Sequence, residues 1–251
     1  MTSTRPHVLI TGAAKRVGRA TALAFARRGC DVTITYRTSH DEARDTLAEL
    51  AAHKIKSHAE QLDLDDLEAV EHLGKSLAVS GQRLDVVVHN ASIYFPTPLA
   101  ETDAERALAL YRVNALAPLL LTKHLAPQLR NSSLPGGGCV VGMGDIHAMG
   151  RPRKDFAAYS MSKAALVEML RSLARDLAPA ARAVGVAPGV VAWPDEGHES
   201  DDEAQQAYLK RVPLDRPGTP EDAADMICWL ALDATYITGQ IIPLDGGRSL
   251  A

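Results

Sequence analysis

No stretch of this 251-residue sequence approaches the ~18–20 consecutive apolar residues that a membrane span needs. No charged segment with a cleavable apolar run precedes the first strand pattern, His7-Val8-Leu9-Ile10, so a leader peptide is not expected. The three cysteines, Cys30, Cys139 and Cys228, form no CxxC pair and are expected to be buried, reduced thiols of a cytoplasmic protein. The nine histidines include no HExxH pair and no Cys/His cluster, so no metal site is expected. A net charge of −4 gives no electrostatic case for nucleic acid or for an anionic membrane. No linker divides the chain. What remains is a soluble chain, 46% hydrophobic, long enough to bury one large core.

Strand-like and helix-like segments alternate from end to end. HVLI is followed by an alanine-rich amphipathic stretch to Arg28, with Gly29 as its stop. DVTITYR (31–37) reads as strand 2, and Ser39 with Glu42 forms a capping-box pair for a helix to His53. HAEQLDL reads as strand 3, with Asp65 placed to cap the next helix. LDVVVHN (84–90) is a continuous apolar run, as in a strand covered on both faces. A helical stretch spans 102–129 with a kink expected at Pro118. GCVVGM (138–143), a helix over 156–178, RAVGVAPG (182–189), a helix begun by Thr219-Pro220, and GQIIPLD (239–245) complete the pattern. Such alternation predicts an α/β fold: one doubly wound parallel sheet of about seven strands, helices on both faces. The irregular, acidic segment 190–212 follows a strand's carboxyl end. It reads either as a solvated helix or loop, or as a lid over a ligand crevice.

TGAAKRVGRA (11–20) lies where strand 1 turns into a helix. Gly12 and Gly18 let the backbone approach a pyrophosphate, and the helix N-terminus offers N–H groups and positive potential. Arg16 stands where a third glycine is usual. Strand 2 does not end in the acid that would accept from an adenosine ribose. It ends in Tyr36-Arg37-Thr38-Ser39, whose guanidinium and hydroxyls suit a 2′-phosphate and so NADPH. Asp63 either holds the adenine amino group or caps the next helix. Tyr159 and Lys163 in YSMSK are four apart and share one helix face. A nearby ammonium would favour the phenolate and ease proton transfer.

These pieces, together with HNAS (89–92), Asn114 in VNALAP, APG (187–189) and ITGQIIPLDGG, make the chain resemble the short-chain dehydrogenases/reductases over nearly its whole length. The resemblance implies a Rossmann-like subunit, a nicotinamide cofactor and hydride transfer. It implies cofactor contacts from Gly12, Lys15, Arg16, Val17, Gly18, Asp63, Leu64, Asn90, Ala91, Ser92, Pro188 and Gly189. Tyr159 would be the proton donor, Lys163 would hold the nicotinamide ribose and lower the tyrosine pKa, and Asn114 would support a relay water. A homotetramer using the two long helices and the last strand is also implied. His89 replaces an asparagine usual in the family, and either a structural or a functional role fits it.

The departures narrow the expectation. Where the family places a serine on strand 5, GMGDIHAMG offers Asp145. An ionised carboxylate repels a carbonyl oxygen but accepts from N–H groups. TGAAKRVG, HNASIYFPTPL, GDIHAMGRP and DGGRSL further resemble the pteridine reductase branch, including the bacterial dihydromonapterin reductases. That branch implies an aromatic stacked on the pterin, here Tyr94 with Phe95 as the alternative. It also implies substrate contacts from Arg16, Ser92, Asp145 and Tyr159; Trp193 in the 190–212 segment is a further candidate. Asp145 to Tyr159 is one residue longer than the usual spacing. A register shift would put Gly144 or Ile146 in its place. His147 is not expected to act as a base. The expected activity is NADPH-dependent reduction of a pterin ring C=N, including dihydrofolate-like substrates. The alternatives are a general carbonyl or enoyl reductase of the same family and a nucleotide sensor without turnover.

Overall fold

The computed structural model describes residues 5–193 and 201–250. Among them seven strands form one sheet in the order β3-β2-β1-β4-β5-β6-β7, and every neighbouring pair is parallel. The strands are β1 (His7–Ile10), β2 (Asp31–Tyr36), β3 (Ser57–Gln61), β4 (Val86–His89), β5 (Gly138–Met143), β6 (Ala181–Pro188) and β7 (Ile241–Leu244). The helices are α1 (Arg16–Arg27), α2 (His40–Ala51), α3 (Leu67–Val79), α4 (Ala104–Tyr111), α5 (Ala117–Arg130), α6 (Ala157–Leu177), α7 (Asp202–Leu209) and α8 (Pro220–Leu232). The chain winds outward from β1 to β3, then crosses back to β4. The loops after β1 and β4 therefore diverge and open a crevice at their carboxyl ends.

Residues alternate faithfully between the two faces. Val8, Ile10, Val86, Val88 and Val141 pack with α1, α2 and α8, whereas Leu9, Val87 and Val140 pack with α3, α5 and α6. Both faces are covered, which is why the central strands are continuous apolar runs.

Local signals held in part. Gly29 ends α1 at φ +76°, and Thr219 caps α8 in a capping box with Asp222. Ser39 sits at the N-cap of α2 without a side-chain cap bond, so the expected capping box with Glu42 is not formed. Asp66, not Asp65, caps α3 through the Ala69 N–H; Asp65 instead accepts from Arg112. The stretch expected as one kinked helix is split: a π turn over Arg112–Leu116 separates α4 from α5. Pro118 has no N–H for the Asn114 carbonyl four residues back and its ring crowds that carbonyl, so the helix widens there.

The placement of α6 depends on two glycines. Gly142 and Gly185 are register partners on β5 and β6. A Cβ on either would come within 2.6 Å and 3.0 Å of Leu170 Cδ1. Their missing side chains form the notch in which α6 lies. Gly142→Ala is expected to overpack this notch and cost about 1–3 kcal/mol. Denaturant unfolding measures it, and an unchanged midpoint would show that the notch does not set the helix position.

Candidate active site

The crevice holds a cavity of about 670 Å³ reaching from the end of β3, across the first loop, to the start of α6. Its first wall is backbone. Gly12 has φ +64°, and a Cβ there would meet the Ala91 Cβ at 2.7 Å. A Cβ on Gly18 would meet the Gly12 carbonyl oxygen at 2.4 Å and Asn90 Nδ2 at 2.7 Å. Asn90 Nδ2 donates to the carbonyls of Thr11 and Gly12 at 2.9 and 3.0 Å. Thr11 Oγ1 accepts the N–H groups of Asn90 and Ala91, both at 3.1 Å. The HNAS segment is thus a staple joining β4 to the first loop. His89 is fully buried, with Nε2 bonded to Thr122 Oγ1 at 2.7 Å and its pKa pushed down to about 3 by burial, which gives it a structural place.

Arg16 opens α1 at φ +55°, a conformation that glycine adopts more easily. Its Nη2 donates to the carbonyls of Ala192 and Trp193 at 3.1 and 2.8 Å. The arginine that replaces a loop glycine therefore ties the first loop to the segment after β6.

Tyr36, Arg37, Thr38 and Ser39 line the cavity at the end of β2, with Arg37 and Thr38 exposed. Asp63 and Leu64 line it from β3, and Asp63 Oδ1 accepts the Asp65 N–H at 3.0 Å in a tight turn. Asp63 is therefore not the cap of α3. Lys15, Val17, Asn90, Ala91, Ser92, Pro188 and Gly189 also lie on the wall. A glycine cradle with no room for a Cβ, a helix N-terminus without a first-turn acid, and an exposed arginine at β2 together fit a dinucleotide phosphate chain.

At the other end the one-residue insertion is absorbed by the loop after β5. Asp145 meets Tyr159: its Oδ2 accepts from the Tyr159 hydroxyl at 2.7 Å, and its Oδ1 accepts the His147 N–H at 2.7 Å. Gly144 instead bonds along β6 through Val186 O, and Ile146 is buried in the core. Tyr159 is 5% exposed. Burial, then the Asp145 carboxylate, holds its phenol well above the ordinary value. Lys163 Nζ donates to the Met143 carbonyl at 2.8 Å, and burial lowers its pKa to about 8. Burial first and Asp145 second thus hold Tyr159 as the protonated phenol.

Asn114 lies on the π turn, outside the cavity wall. Its Oδ1 accepts the Ile93 N–H at 2.9 Å, and its Nδ2 donates to the Ile93 carbonyl and Ser162 Oγ, both at 3.0 Å. It clamps the loop that carries Ser92 and Tyr94. Of the two candidate aromatics, Tyr94 lines the cavity. Its ring stacks on Phe156 at 4.8 Å and meets Tyr159 edge-on at 4.8 Å. Phe95 turns away beneath Arg106. Trp193 does not line the cavity; its ring packs edge-on against Tyr208, which does. Sequence reasoning missed Tyr208, Arg153 and Met143, all on the wall. Arg153 donates to the Tyr94 hydroxyl and stacks over Phe156 at 4.4 Å. Among the described residues no cluster of His, Cys, Asp or Glu is arranged for a metal, and no helix is long and apolar enough to cross a membrane.

This geometry can now be set beside known proteins. Residues 12–249 match the sequence model of a family described as enoyl-(acyl carrier protein) reductase. The chain belongs to the short-chain dehydrogenase/reductase family. It is 32% identical to a 3-oxoacyl-[acyl-carrier-protein] reductase of Synechocystis, over 95% of both chains. It is also 32% identical to pteridine reductase 1 of Leishmania tarentolae, over 98% of this chain and 97% of that one. A blue fluorescent protein from a metagenomic library, solved in complex with NADPH, superposes with a TM-score of 0.86 at 28% identity and 97% coverage of each chain. The family establishes an oxidoreductase with a nicotinamide cofactor and a single Rossmann-like domain. Relatives of similar identity differ in substrate, so identity alone does not choose among substrates.

The buried Lys163 has a measurable consequence for stability. Its folded-state pKa of about 8 lies below the ordinary 10.5, so the unfolded chain binds the extra proton between those values. Stability of the protein without ligand is therefore expected to rise from about pH 8 to 9; above that the Cys30, Cys139 and Cys228 thiols, pushed up by burial to about 12, 11 and 11, act in the opposite sense, as does Tyr159 above its ordinary value. Lys163→Met should abolish both this rise and turnover. A rise that persists in the variant, in urea unfolding at several pH values, would assign it to another group.

Proposed function

We propose that this protein is an NADPH-dependent pteridine reductase, which reduces a ring C=N of a dihydropterin or dihydrofolate-like substrate. The observation that carries the reading is the Asp145 carboxylate 2.7 Å from the Tyr159 hydroxyl, at the family's usual serine position. A serine hydroxyl donates to a carbonyl oxygen; a carboxylate accepts from the amino and ring N–H groups of a pterin. Tyr94 supports the same reading, because its ring at the cavity wall offers a stacking surface for a flat heterocycle.

When bound, the nicotinamide cofactor supplies the hydride. The protein's residues do the rest. Arg37, Thr38 and Ser39 hold the 2′-phosphate, Gly12, Gly18 and the start of α1 hold the pyrophosphate, and Lys163 holds the nicotinamide ribose. Tyr159, kept protonated by burial and by Asp145, is the acid that gives its proton to the ring nitrogen as hydride reaches the adjacent carbon. Asn114, by fixing the loop at Ile93, positions Ser92 and Tyr94. The described parts of the 190–212 segment border the substrate: Arg16 holds Ala192 and Trp193 to the first loop, and the Val190 N–H donates to the Tyr208 hydroxyl; residues 194–200 lie outside the described residues. Exposed Leu108, Tyr111, Leu119 and Met161 on α4, α5 and α6 support a homotetramer built on these helices. Three buried free cysteines support a cytoplasmic location.

The second reading is a general carbonyl or enoyl reductase of the same family. The family description and the Synechocystis relative favour it. NADPH oxidation with dihydrobiopterin, dihydromonapterin and dihydrofolate, against a panel of ketones and enoyl thioesters, separates the two. Turnover of ketones without any pterin would sink the first reading. Asp145→Ser is expected to shift the ratio of pterin to ketone turnover by about tenfold or more toward ketones, the scale of one charge-assisted hydrogen bond. Arg37→Ala is expected to raise KM for NADPH about 10–100-fold on the same scale while leaving NADH nearly unchanged. Equal losses for both cofactors would remove the 2′-phosphate assignment.

A further inference from the structure

The mechanism above leaves one group of side chains without a task. A second cavity, of about 370 Å³, is lined by His147 and by Arg151, Arg211 and Arg248. It adjoins the reaction cavity, because His147 lies on the wall of both. The two are also joined by a chain of hydrogen bonds. Asp145 accepts from both Tyr159 and the His147 N–H. His147 Nδ1 donates to the Arg151 carbonyl at 2.7 Å, and the Arg151 guanidinium donates to the Ser249 carbonyl.

Arg248 is the informative member. It sits in the turn after β7 and is only 8% exposed. Its Nε is buried and has no hydrogen-bond partner among the described residues. Its guanidinium lies 5.5 Å from the ring of Tyr208, a wall residue of the reaction cavity. The acid closest in sequence, Asp245, has both oxygens engaged by backbone, from Gly247 N–H at 2.9 Å and Ser249 N–H at 2.7 Å. Burial and the neighbouring charges of Arg211 and Arg151 lower the Arg248 pKa. A buried cation with an unanswered donor is costly unless an anion completes it. Arginine forks match the planar or tetrahedral oxygens of carboxylate and phosphate.

We infer that this cavity is an anion subsite, which takes the distal carboxylate or phosphate of a substrate side chain while the ring lies beside Tyr159. The inference rests on the pterin reading only for the identity of the ring. It makes the preferred substrate a dihydropterin with an anionic tail rather than one with an uncharged side chain. The exposed Arg211, on the segment after α7, and the buried Arg248 would grip the tail from two sides.

The test uses the full chain with NADPH at constant ionic strength. KM is compared for dihydrobiopterin, with an uncharged tail, dihydrofolate, with a carboxylate tail, and dihydroneopterin phosphate. In R211Q and R248Q, KM for the anionic substrate is expected to rise about tenfold while that for dihydrobiopterin stays unchanged. Whichever anionic substrate shows the rise identifies the tail, carboxylate or phosphate. A rise of equal size for charged and uncharged substrates, or none, would overturn the subsite. R211Q alters an exposed side chain and decides the matter if R248Q does not fold. If no pterin is reduced at all, the pterin reading fails, and the subsite is read separately. Inorganic phosphate and citrate, titrated against chloride at equal ionic strength, should then raise the Tm of the wild type more than that of R211Q, the dinucleotide cradle contributing equally to both. No difference between the two proteins would overturn the subsite. A changed native mass in R211Q without a change in tail selectivity would also overturn it, assigning the cluster to a contact between copies of the chain.

Discussion

The crevice exists because the first loop and the end of β4 touch backbone to backbone. Thr11 and Gly12 accept four hydrogen bonds from Asn90 and Ala91 across β1 and β4, and Gly12 and Gly18 close over Ala91 and Asn90 with no space for a side chain. This contact sits where the winding of the sheet reverses direction, so the loops beyond it have to part. The cavity is arranged around that parting: the glycine loop on one side, the loop bearing Ser92 and Tyr94 on the other.

A second constraint sets the chemistry. The Gly142–Gly185 notch brings α6 against the sheet, and so buries Tyr159 and Lys163. Burial acts on both in the direction of their neutral forms, raising the phenol and lowering the ammonium. A carboxylate accepting from the phenol reinforces the first effect. Tyr159 is therefore held as the protonated phenol, hydrogen-bonded to Asp145. Asp145 serves twice, since its other oxygen anchors the short turn through His147 that leads to the arginine-lined cavity.

Much of this was legible in the sequence. The period-two apolar runs, Gly29 at the end of α1 and Thr219-Pro220 at the start of α8 are local signals, and they read correctly because each depends on its own few residues. The split of α4 from α5 was half legible: Pro118 announced a disturbance, but whether it became a kink or a π turn depended on how Asn114 was held by Ile93 and Ser162. The capping of α3 was misread by one residue because Asp65 and Asp66 are equivalent in sequence, and Arg112, far along the chain, claims the first. The wall residues Tyr208 and Arg153 carried no local signal.

The sequence by itself determined the alternation of strands and helices, the glycine cradle, the absence of an acid at the end of β2 and the shared helix face of Tyr159 and Lys163. These follow from side-chain period and covalent chemistry alone. Only the tertiary structure decided that Asp145 meets Tyr159 despite the extra residue, that burial raises the tyrosine pKa, and that Arg16 ties the first loop to the segment after β6. It also gathered Arg151, Arg211 and Arg248, which lie on three separate segments, around one cavity. Desolvation and partnership between distant residues are set by packing, and packing is where a one-dimensional pattern stops.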